Sequence, residues 1–370
     1  MPLARRGLVL LLTAVLAAAC SSGPPAAPVK AVPAPACRVV KTPVSIPGVA
    51  APGQLTGDLC TPPNGNGTVL LLVAGGGENA DYWDLPELRS NSLVRAALAK
   101  GYATYALDRL GTGRSTVPAS SKSVTYDAQV STADQVATAL HSDAQVFGTT
   151  WHTVVGIGHS LGSGTLAGVA AKHAGVLDAL ILTGYGAAVT PETLQLDKLY
   201  QVPARTVGTR WQGLDDGYVT VLPDKVEQIG LVHGPGTDPK ALPVIGAHQG
   251  ILSDTELASR PQGAAAAAQA ARITVPALVA VGQFDRHYCE GNPVGAPPAP
   301  TPQCGGAPAF QSYEKKLLPN ACLATHLVAG SGHAIQEELA APEANALYLS
   351  WLQTTFGGGK AHCAETGPVS

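Results

Sequence analysis

Residues 153–164 have the sequence TVVGIGHSLGSG, and this stretch decides how the fold of the chain is interpreted. A mostly β-branched run ends at Gly158 and passes through a single serine, Ser160, into a segment that favours a helix. A strand that turns sharply over a glycine-flanked serine leaves the hydroxyl exposed at the end of a sheet. The stretch therefore makes Ser160 a candidate nucleophile, which needs partners elsewhere in the chain.

Strand and helix patterns alternate on both sides of Ser160. Continuous apolar runs, typical of strands buried on both faces, occur at residues 68–73, 103–107, 179–183, 277–281 and 324–328. Helical patterns accompany them, at about residues 86–100, 127–147, 160–173 and 342–355. The alternation predicts an α/β fold with a mostly parallel central sheet flanked by helices. Residues 37–60, in which short apolar groups stand between prolines, predict one or two short edge strands.

The alternation stops between residues 184 and 272, although strand patterns resume afterwards. A connection of this length is too long for an ordinary loop, and it contains an alanine run typical of a helix at residues 264–268. We therefore predict a cap inserted over the sheet at about residues 185–271, within a single domain at 37–370. The length of 370 residues by itself would also permit two domains.

The first 20 residues have the organisation of an export signal. Two arginines precede an apolar run at residues 7–19, which ends in small residues. This run is shorter than the roughly 20 apolar residues that a membrane span needs. Residues 1–20 resemble a bacterial lipoprotein signal in which Cys20 becomes lipidated, although Ala17 stands where leucine is usual. Cleavage without lipidation, followed by secretion, is the alternative.

Residues 21–36 are rich in proline and alanine and predict a tether with no core of its own. Together, the signal and the tether predict where the protein is located: on the cell membrane as an outward-facing lipoprotein, or secreted. Charged residues make up 13% of the chain and the net charge is −3, which argues against binding to nucleic acid.

Six cysteines remain when Cys20 is set aside, and an even number in an exported chain predicts disulfides. Six cysteines allow 15 pairings. We favour the pairing that joins loops or termini next to predicted strands, namely Cys37 with Cys60, Cys289 with Cys304, and Cys322 with Cys363. The sequence has no C-x-x-C pair and no tight Cys/His spacing of the zinc-finger kind, so it does not favour a metal site.

A nucleophilic serine needs a histidine as base and an acid that orients the histidine. Asp285 follows the predicted strand at residues 277–281, and His333 lies in a glycine-flanked loop after the strand at 324–328. His287, two residues beyond Asp285, and His326, inside a predicted strand, are the alternative histidines. Because the carboxyl ends of parallel strands meet at one edge of a sheet, we expect Asp285 and His333 beside Ser160.

The order Ser160, Asp285, His333 resembles the order of nucleophile, acid and histidine in the α/β-hydrolase superfamily. Residues 74–77 (AGGG) are similar to its H-G-G-G-type oxyanion loop, and residues 108–115 (DRLGTGRS) are similar to its D-R-x-G-x-G-x-S turn. The resemblance extends from about residue 68 to the C-terminal helix, apart from the cap.

This resemblance implies an α/β-hydrolase fold and an oxyanion hole formed by the backbone N–H groups of Gly76 and Leu161. Ala74 stands where the superfamily often has histidine, which leaves the backbone donors in place but changes the start of the loop. Several aromatic residues lie near the expected mouth of the site. We expect them either to bind an acyl or alkyl group or to pack the cap on the sheet: Trp83, Tyr185, Trp211 and Tyr218.

The sequence thus predicts an exported serine hydrolase that cleaves a carboxylic ester through an acyl-enzyme on Ser160, without a metal or organic cofactor. Its partners would be a small-molecule or lipid ester and, through Cys20, a membrane. Two alternatives stay open. The superfamily also includes amide-cleaving, transacylase and other non-hydrolytic members, and a tethered binding lipoprotein would keep the fold without turnover.

Overall fold

The structure is a computed structural model, and it describes residues 36–289, 304–357, 361–363 and 367–368. A nine-stranded sheet forms its centre. The predicted export signal, the lipidation site Cys20 and nearly all of the tether lie outside the described residues. The strands of this sheet are β1 (Ala36–Val44), β2 (Gly53–Thr61), β3 (Thr68–Val73), β4 (Ala103–Leu107), β5 (Thr153–His159), β6 (Ala179–Thr183), β10 (Ala277–Gly282), β11 (Leu323–Val328) and β12 (Gly367–Pro368).

The order of the strands is β1-β2-β4-β3-β5-β6-β10-β11-β12. Within this sheet, as far as the described residues show it, only the pairings β1–β2 and β2–β4 are antiparallel, so the sheet from β4 to β12 is parallel. The carboxyl ends of these parallel strands therefore meet at one edge, and β5 brings Ser160 to the middle of it. The prediction of a mostly parallel central sheet is confirmed.

Strand β3 is buried on both faces of the sheet, which explains its continuously apolar sequence. All six of its residues are buried, and alternate side chains enter the two cores on opposite faces of the sheet. Val69, Leu71 and Val73 face one core, whereas Leu70 and Leu72 face the other. A strand covered by helices on both faces has no side that benefits from polar residues.

In the described part of the chain, six α-helices cover the sheet: α1 (Leu93–Ala99), α2 (Tyr126–Ser142), α3 (Ala144–Phe147), α4 (Leu161–Lys172), α9 (Ala307–Glu314) and α10 (Ala341–Phe356). Two predicted helices differ from the structure. The pattern at residues 86–100 forms a helix only from Leu93, because the Ser92 side chain accepts a hydrogen bond from Arg95 N and caps it. The pattern at residues 127–147 is divided at Asp143, whose carboxylate caps α3.

The segment between β6 and β10 has a small sheet of its own. Strands β7 (Gln201–Pro203), β8 (Tyr218–Val221) and β9 (Leu252–Ser253) pair antiparallel in that order. Four short helices accompany them: α5 (Thr193–Tyr200), α6 (Leu242–Ala247), α7 (Asp254–Ala258) and α8 (Gly263–Ala270). This segment occupies the position predicted for the cap, and several of its side chains line a cavity with Ser160.

Three disulfides join the same cysteines that the sequence analysis pairs: Cys37–Cys60, Cys289–Cys304 and Cys322–Cys363. The first links the paired strands β1 and β2, and the last ties the C-terminal segment to the start of β11. Disulfides of this number indicate an oxidising compartment outside the cytosol.

Within the described residues, no helix has the length and apolar character needed to cross a membrane.

Candidate active site

Ser160 occupies the sharp turn between β5 and α4. Its φ angle is 49° and its ψ angle is −116°, and among the described residues it is the one non-glycine residue with positive φ. The turn is tight because the flanking glycines touch backbone: a Cβ atom on Gly158 would overlap Ser163, and one on Gly162 would overlap the carbonyl group of Val73. The backbone N–H of Ser160 donates to the Thr183 carbonyl oxygen at 2.9 Å, which anchors the turn to β6.

Asp285 and His333 follow β10 and β11, and the structure brings them together. The Nδ1 atom of His333 lies 2.8 Å from Oδ2 of Asp285, and the two residues are 2% and 0% exposed. The second carboxylate oxygen of Asp285 accepts hydrogen bonds from the backbone N–H groups of His287, at 2.7 Å, and Tyr288, at 3.2 Å. The acid is thus held by its own loop, and its remaining oxygen orients the histidine.

The two side chains shift each other's pKa values in opposite directions. Burial by itself would raise the pKa of Asp285, but the charge and hydrogen bond of His333 hold it below its ordinary value. Burial would likewise lower the pKa of His333, but the carboxylate of Asp285 raises it above its ordinary value. The pair therefore favours an ionised Asp285 beside an imidazole that gains a proton readily.

Ser160 and His333 line one cavity of about 60 Å³, which we call the serine cavity. Gly76 and Leu161 lie on its wall together with the cap residues Asp197 and Arg260. Among the described residues, no hydrogen bond joins Oγ of Ser160 to His333. Catalytic hydrogen bonds are often long before substrate binds, and they tighten in the complex.

The glycine-rich loop beside Ser160 is fixed from two sides. The backbone N–H of Gly75 donates to the buried carboxylate of Glu78 at 2.8 Å, and the Gly75 carbonyl oxygen accepts from Nη2 of Arg109 at 2.9 Å. Within the described part of the chain, the N–H groups of Gly76 and Leu161 have no intramolecular acceptor. A Cβ atom on Gly76 would lie 2.8 Å from Cδ1 of Leu161, so this position suits glycine.

Arg109, from the turn after β4, extends this support into the cap. Its Nη1 atom forms an ion pair with Glu256 of α7, and both side chains are only 2% exposed. Nε2 of Gln129 donates to the other oxygen of Glu256 at 3.1 Å. The sequence analysis noted the D-R-x-G-x-G-x-S turn but not this pair, because nothing in the sequence places residue 256 next to residue 109.

The four aromatic residues expected at the mouth have different positions. Tyr185 lines a larger cavity of about 370 Å³ that shares walls with the serine cavity. Trp211 lines a separate cap cavity, under the guanidinium of Arg210. Trp83 and Tyr218 are fully buried, which favours the packing alternative for both: Trp83 packs in the core against Tyr82, and Tyr218 donates to the Pro118 carbonyl oxygen.

His159 and His287 both contact the ring of His333, and sequence reasoning gave neither a role in orienting it. The ring centroids lie 4.7 and 4.4 Å from that of His333. Burial lowers the pKa of His287 to about 3, so His287 is uncharged at neutral pH and adds no charge beside His333. Among the residues described, no cluster of three or more His, Cys, Asp or Glu side chains could hold a metal ion.

A family model described as the alpha/beta hydrolase family matches residues 70–346, three quarters of the chain. The chain belongs to this family. The matched range includes Ser160, Asp285 and His333 as well as the cap. Among curated proteins, none matches the chain significantly.

Solved structures of this fold resemble the hydrolase at low sequence identity. A thermophilic esterase from Thermogutta terrifontis is 19% identical, with a TM-score of 0.51 over 85% of this chain and 98% of that one. A carboxylesterase from Bacillus subtilis is 17% identical, with a TM-score of 0.53 over 85% and 92% of the two chains. A putative hydrolase from Rickettsia typhi is 13% identical, with a TM-score of 0.55 over 86% and 99%. At these identities the likeness shows the fold alone.

Proposed function

We propose that this hydrolase cleaves carboxylic esters by two-step acyl transfer, with Ser160 as nucleophile, His333 as base and Asp285 as the acid that orients it. The observation that carries the proposal is a single arrangement. A serine in a backbone conformation that exposes its hydroxyl shares a cavity with a histidine whose Nδ1 is bound to a buried carboxylate. These are the groups that acyl transfer requires.

The hydrogen bond to Asp285 places a proton on Nδ1 of His333 and leaves Nε2 as the acceptor. Oγ of Ser160 forms a bond to the ester carbonyl carbon while Nε2 takes its proton. The alkoxide then leaves with that proton, and the acyl group stays on Oγ. A water molecule then attacks the carbonyl carbon of the acyl-enzyme while Nε2 takes a proton from the water. This proton passes to Oγ, so the carboxylic acid and free Ser160 are released.

The N–H groups of Gly76 and Leu161 would donate to the oxyanion that forms at each step. Both lie on the wall of the serine cavity and lack an intramolecular acceptor among the described residues. Loss of one such donor typically costs about 2.7 to 4 kcal/mol of transition-state stabilisation. Arg109 and Glu78 support this role indirectly, because they fix the neighbouring Gly75.

The test is to incubate the protein with a fluorophosphonate probe and with a series of acyl esters and amides, beside Ser160→Ala. We expect labelling and ester hydrolysis that both disappear in Ser160→Ala, whereas Ser163→Ala, one turn into α4, keeps them. Labelling that survives Ser160→Ala would remove Ser160 from the mechanism. Labelling without ester turnover would instead favour an amidase or a transacylase, and no labelling would favour a binding lipoprotein.

Export and anchoring complete the proposal. The three disulfides support folding in an oxidising compartment. A lipid on Cys20, joined to the domain by the tether, would hold the cap and its ester site near a membrane surface. Radiolabelled palmitate that is incorporated by the full chain but not by Cys20→Ser would support this anchor, and equal incorporation would refute it.

A further inference from the structure

The larger cavity beside the active site, which we call the large cavity, shares four of its lining residues with the serine cavity: Leu161, Val189, Arg260 and Tyr288. Its volume is about 370 Å³, against about 60 Å³ for the serine cavity. The serine cavity is therefore large enough for the reacting carbonyl but not for the rest of an ester. The adjoining large cavity is where the remainder of a bound substrate fits.

The wall of the large cavity is mainly apolar and includes three tyrosines, Tyr126, Tyr185 and Tyr288. Small and branched apolar side chains from α4, α8 and the loop after α9 line it: Ala167, Ala266, Ala270, Leu317 and Leu318. An apolar cavity of about 150 Å³ accommodates benzene. The large cavity, at about 370 Å³, thus has room for a short chain with a terminal group, but not for a lipid with two long chains.

Arg260 places a positive charge in this apolar wall. The side chain is partly buried, and its Nε donates to the Leu257 carbonyl oxygen at 3.2 Å. Among the described residues, no carboxylate forms an ion pair with Arg260. Glu256, which lines the same cavity, is already paired with Arg109. A guanidinium presents a planar set of donors that binds a carboxylate through two hydrogen bonds.

The other acidic groups nearby leave the large cavity open to an anion. Asp197 shares the serine cavity with Arg260 but does not line the large one, and it accepts a hydrogen bond from Gln201 at 2.8 Å. Burial raises the pKa of Asp197 to about 6 against the charge of Arg260, so this carboxyl forms no ion pair with the guanidinium. Glu314 accepts from the N–H of Ala187 on the cavity wall, and burial raises its pKa to about 8. Because Glu314 is then mostly uncharged at neutral pH, it does not repel an anion bound at Arg260.

We propose that Arg260, which lines both cavities where they meet, determines specificity by binding a carboxylate on the part of the substrate that enters the large cavity, so that the hydrolase prefers short esters with a terminal carboxylate. This inference rests on the proposed ester hydrolysis and names its substrate class. A site that offers a hydrogen-bonding group to the substrate discriminates strongly against an analogue without the matching group. A neutral ester of equal length would leave the guanidinium without an anion.

The test compares two esters that differ only at the terminal group, mono-4-nitrophenyl adipate and 4-nitrophenyl hexanoate. We expect the wild type to favour the adipate ester in kcat/KM. Arg260→Gln should reduce the ratio of the two kcat/KM values by about 10- to 100-fold, the usual effect of one charge-assisted contact. Arg260→Lys, which keeps the charge but loses the planar donor set, should give an intermediate ratio.

Arg205→Gln is the matched control. Arg205 also belongs to the cap, but it is paired with Asp216 at the surface and lies outside both cavities. Its substitution should leave the ratio unchanged. A wild type with no preference for the adipate ester would overturn the proposal, and so would an equal loss of both activities in Arg260→Gln.

Binding of adipate measured by calorimetry separates this proposal from the proposed function, because it needs no turnover. Ser160→Ala should bind adipate, and adding Arg260→Gln should weaken the affinity at least about 10-fold. Equal affinities would refute the role of Arg260 even if esters are hydrolysed. Arg260-dependent binding without any ester turnover would refute ester hydrolysis and keep Arg260 as the anion-binding residue.

Discussion

The imidazole of His333 is bound to the carboxylate of Asp285 through Nδ1 and Oδ2, 2.8 Å apart, although 48 residues separate them in the chain. Parallel strands β10 and β11 lie side by side, and each residue comes from the loop at the carboxyl end of its strand. Burial excludes water from this contact, so the charge of Asp285 acts on His333 with little screening. The pH dependence of the reaction should therefore depend on Asp285.

Asp285→Asn should lower kcat by about 1,000- to 10,000-fold, because the imidazole loses its orienting carboxylate. The base must be uncharged to take a proton, so kcat/KM falls as the pH drops through the pKa of His333. Asp285 raises this pKa, so the wild-type acid limb should lie above about pH 6.5, the ordinary value for histidine. In Asp285→Asn, burial lowers the pKa of His333 and only the charges of Glu78 and Asp197 still raise it, so the limb should move to lower pH.

A profile of kcat/KM between pH 4 and pH 9 measures both effects. Asp216→Asn, an exposed cap residue, is the control and should keep the wild-type profile. An acid limb at the same pH in Asp285→Asn and the wild type would mean that His333 is not the base.

The backbone conformation of Ser160 should lower the free energy of unfolding of the protein. Its φ of 49° lies in a region that glycine adopts at little cost and other residues do not. Ser160→Gly should therefore be more stable than Ser160→Ala by about 1 kcal/mol, although neither has activity. Urea unfolding of the two inactive variants isolates the backbone effect, and equal midpoints would show that the turn is not strained.

The central sheet could be predicted from the sequence because each parallel strand is a continuous apolar run bounded by turn residues. Residues 68–73 and 103–107 match β3 and β4. The order of Ser160, Asp285 and His333 along the chain could also be predicted, since each follows a strand. These features are local in sequence, and the topology then brings them together.

The contacts with the cap could not be predicted in this way. Glu256 and Arg260 lie in a segment without strand and helix alternation, so no pattern shows which of its residues face Ser160. Trp83 and Tyr218 were placed at the mouth by their chemical type, yet core packing decides their position. The buried Glu314 has no partner near it in sequence that would indicate its environment.

Arg109 and Glu256 should be strongly coupled in stability. Each is 2% exposed, and removal of one partner leaves the other charge buried and unpaired. Arg109→Met should destabilise the protein by about 3 to 5 kcal/mol, and the double variant Arg109→Met/Glu256→Met should recover most of this loss. Activity should stay low in the double variant, because Gly75 still lacks the donor that fixes its carbonyl group.

Urea unfolding and ester hydrolysis of both single variants and the double variant complete this cycle. Arg95 and Asp84 form an exposed pair that serves as the control, and its cycle should give less than about 1 kcal/mol. Additive losses at Arg109 and Glu256 would contradict the coupling, and full activity of the double variant would contradict the support of Gly75.

Glu314 should make the folded state less stable as the pH rises. The residue is 2% exposed, and burial raises its pKa to about 8. Between about pH 4.5 and pH 8 the folded protein retains this proton and the unfolded chain does not, so the free energy of unfolding decreases over this range.

Glu314→Gln stays uncharged, so it should match the wild type at pH 5 and exceed its stability by about 2 to 4 kcal/mol at pH 9. Urea unfolding at both pH values measures the difference, with the exposed Glu343→Gln as control, and a constant difference between wild type and Glu314→Gln would show that Glu314 titrates normally.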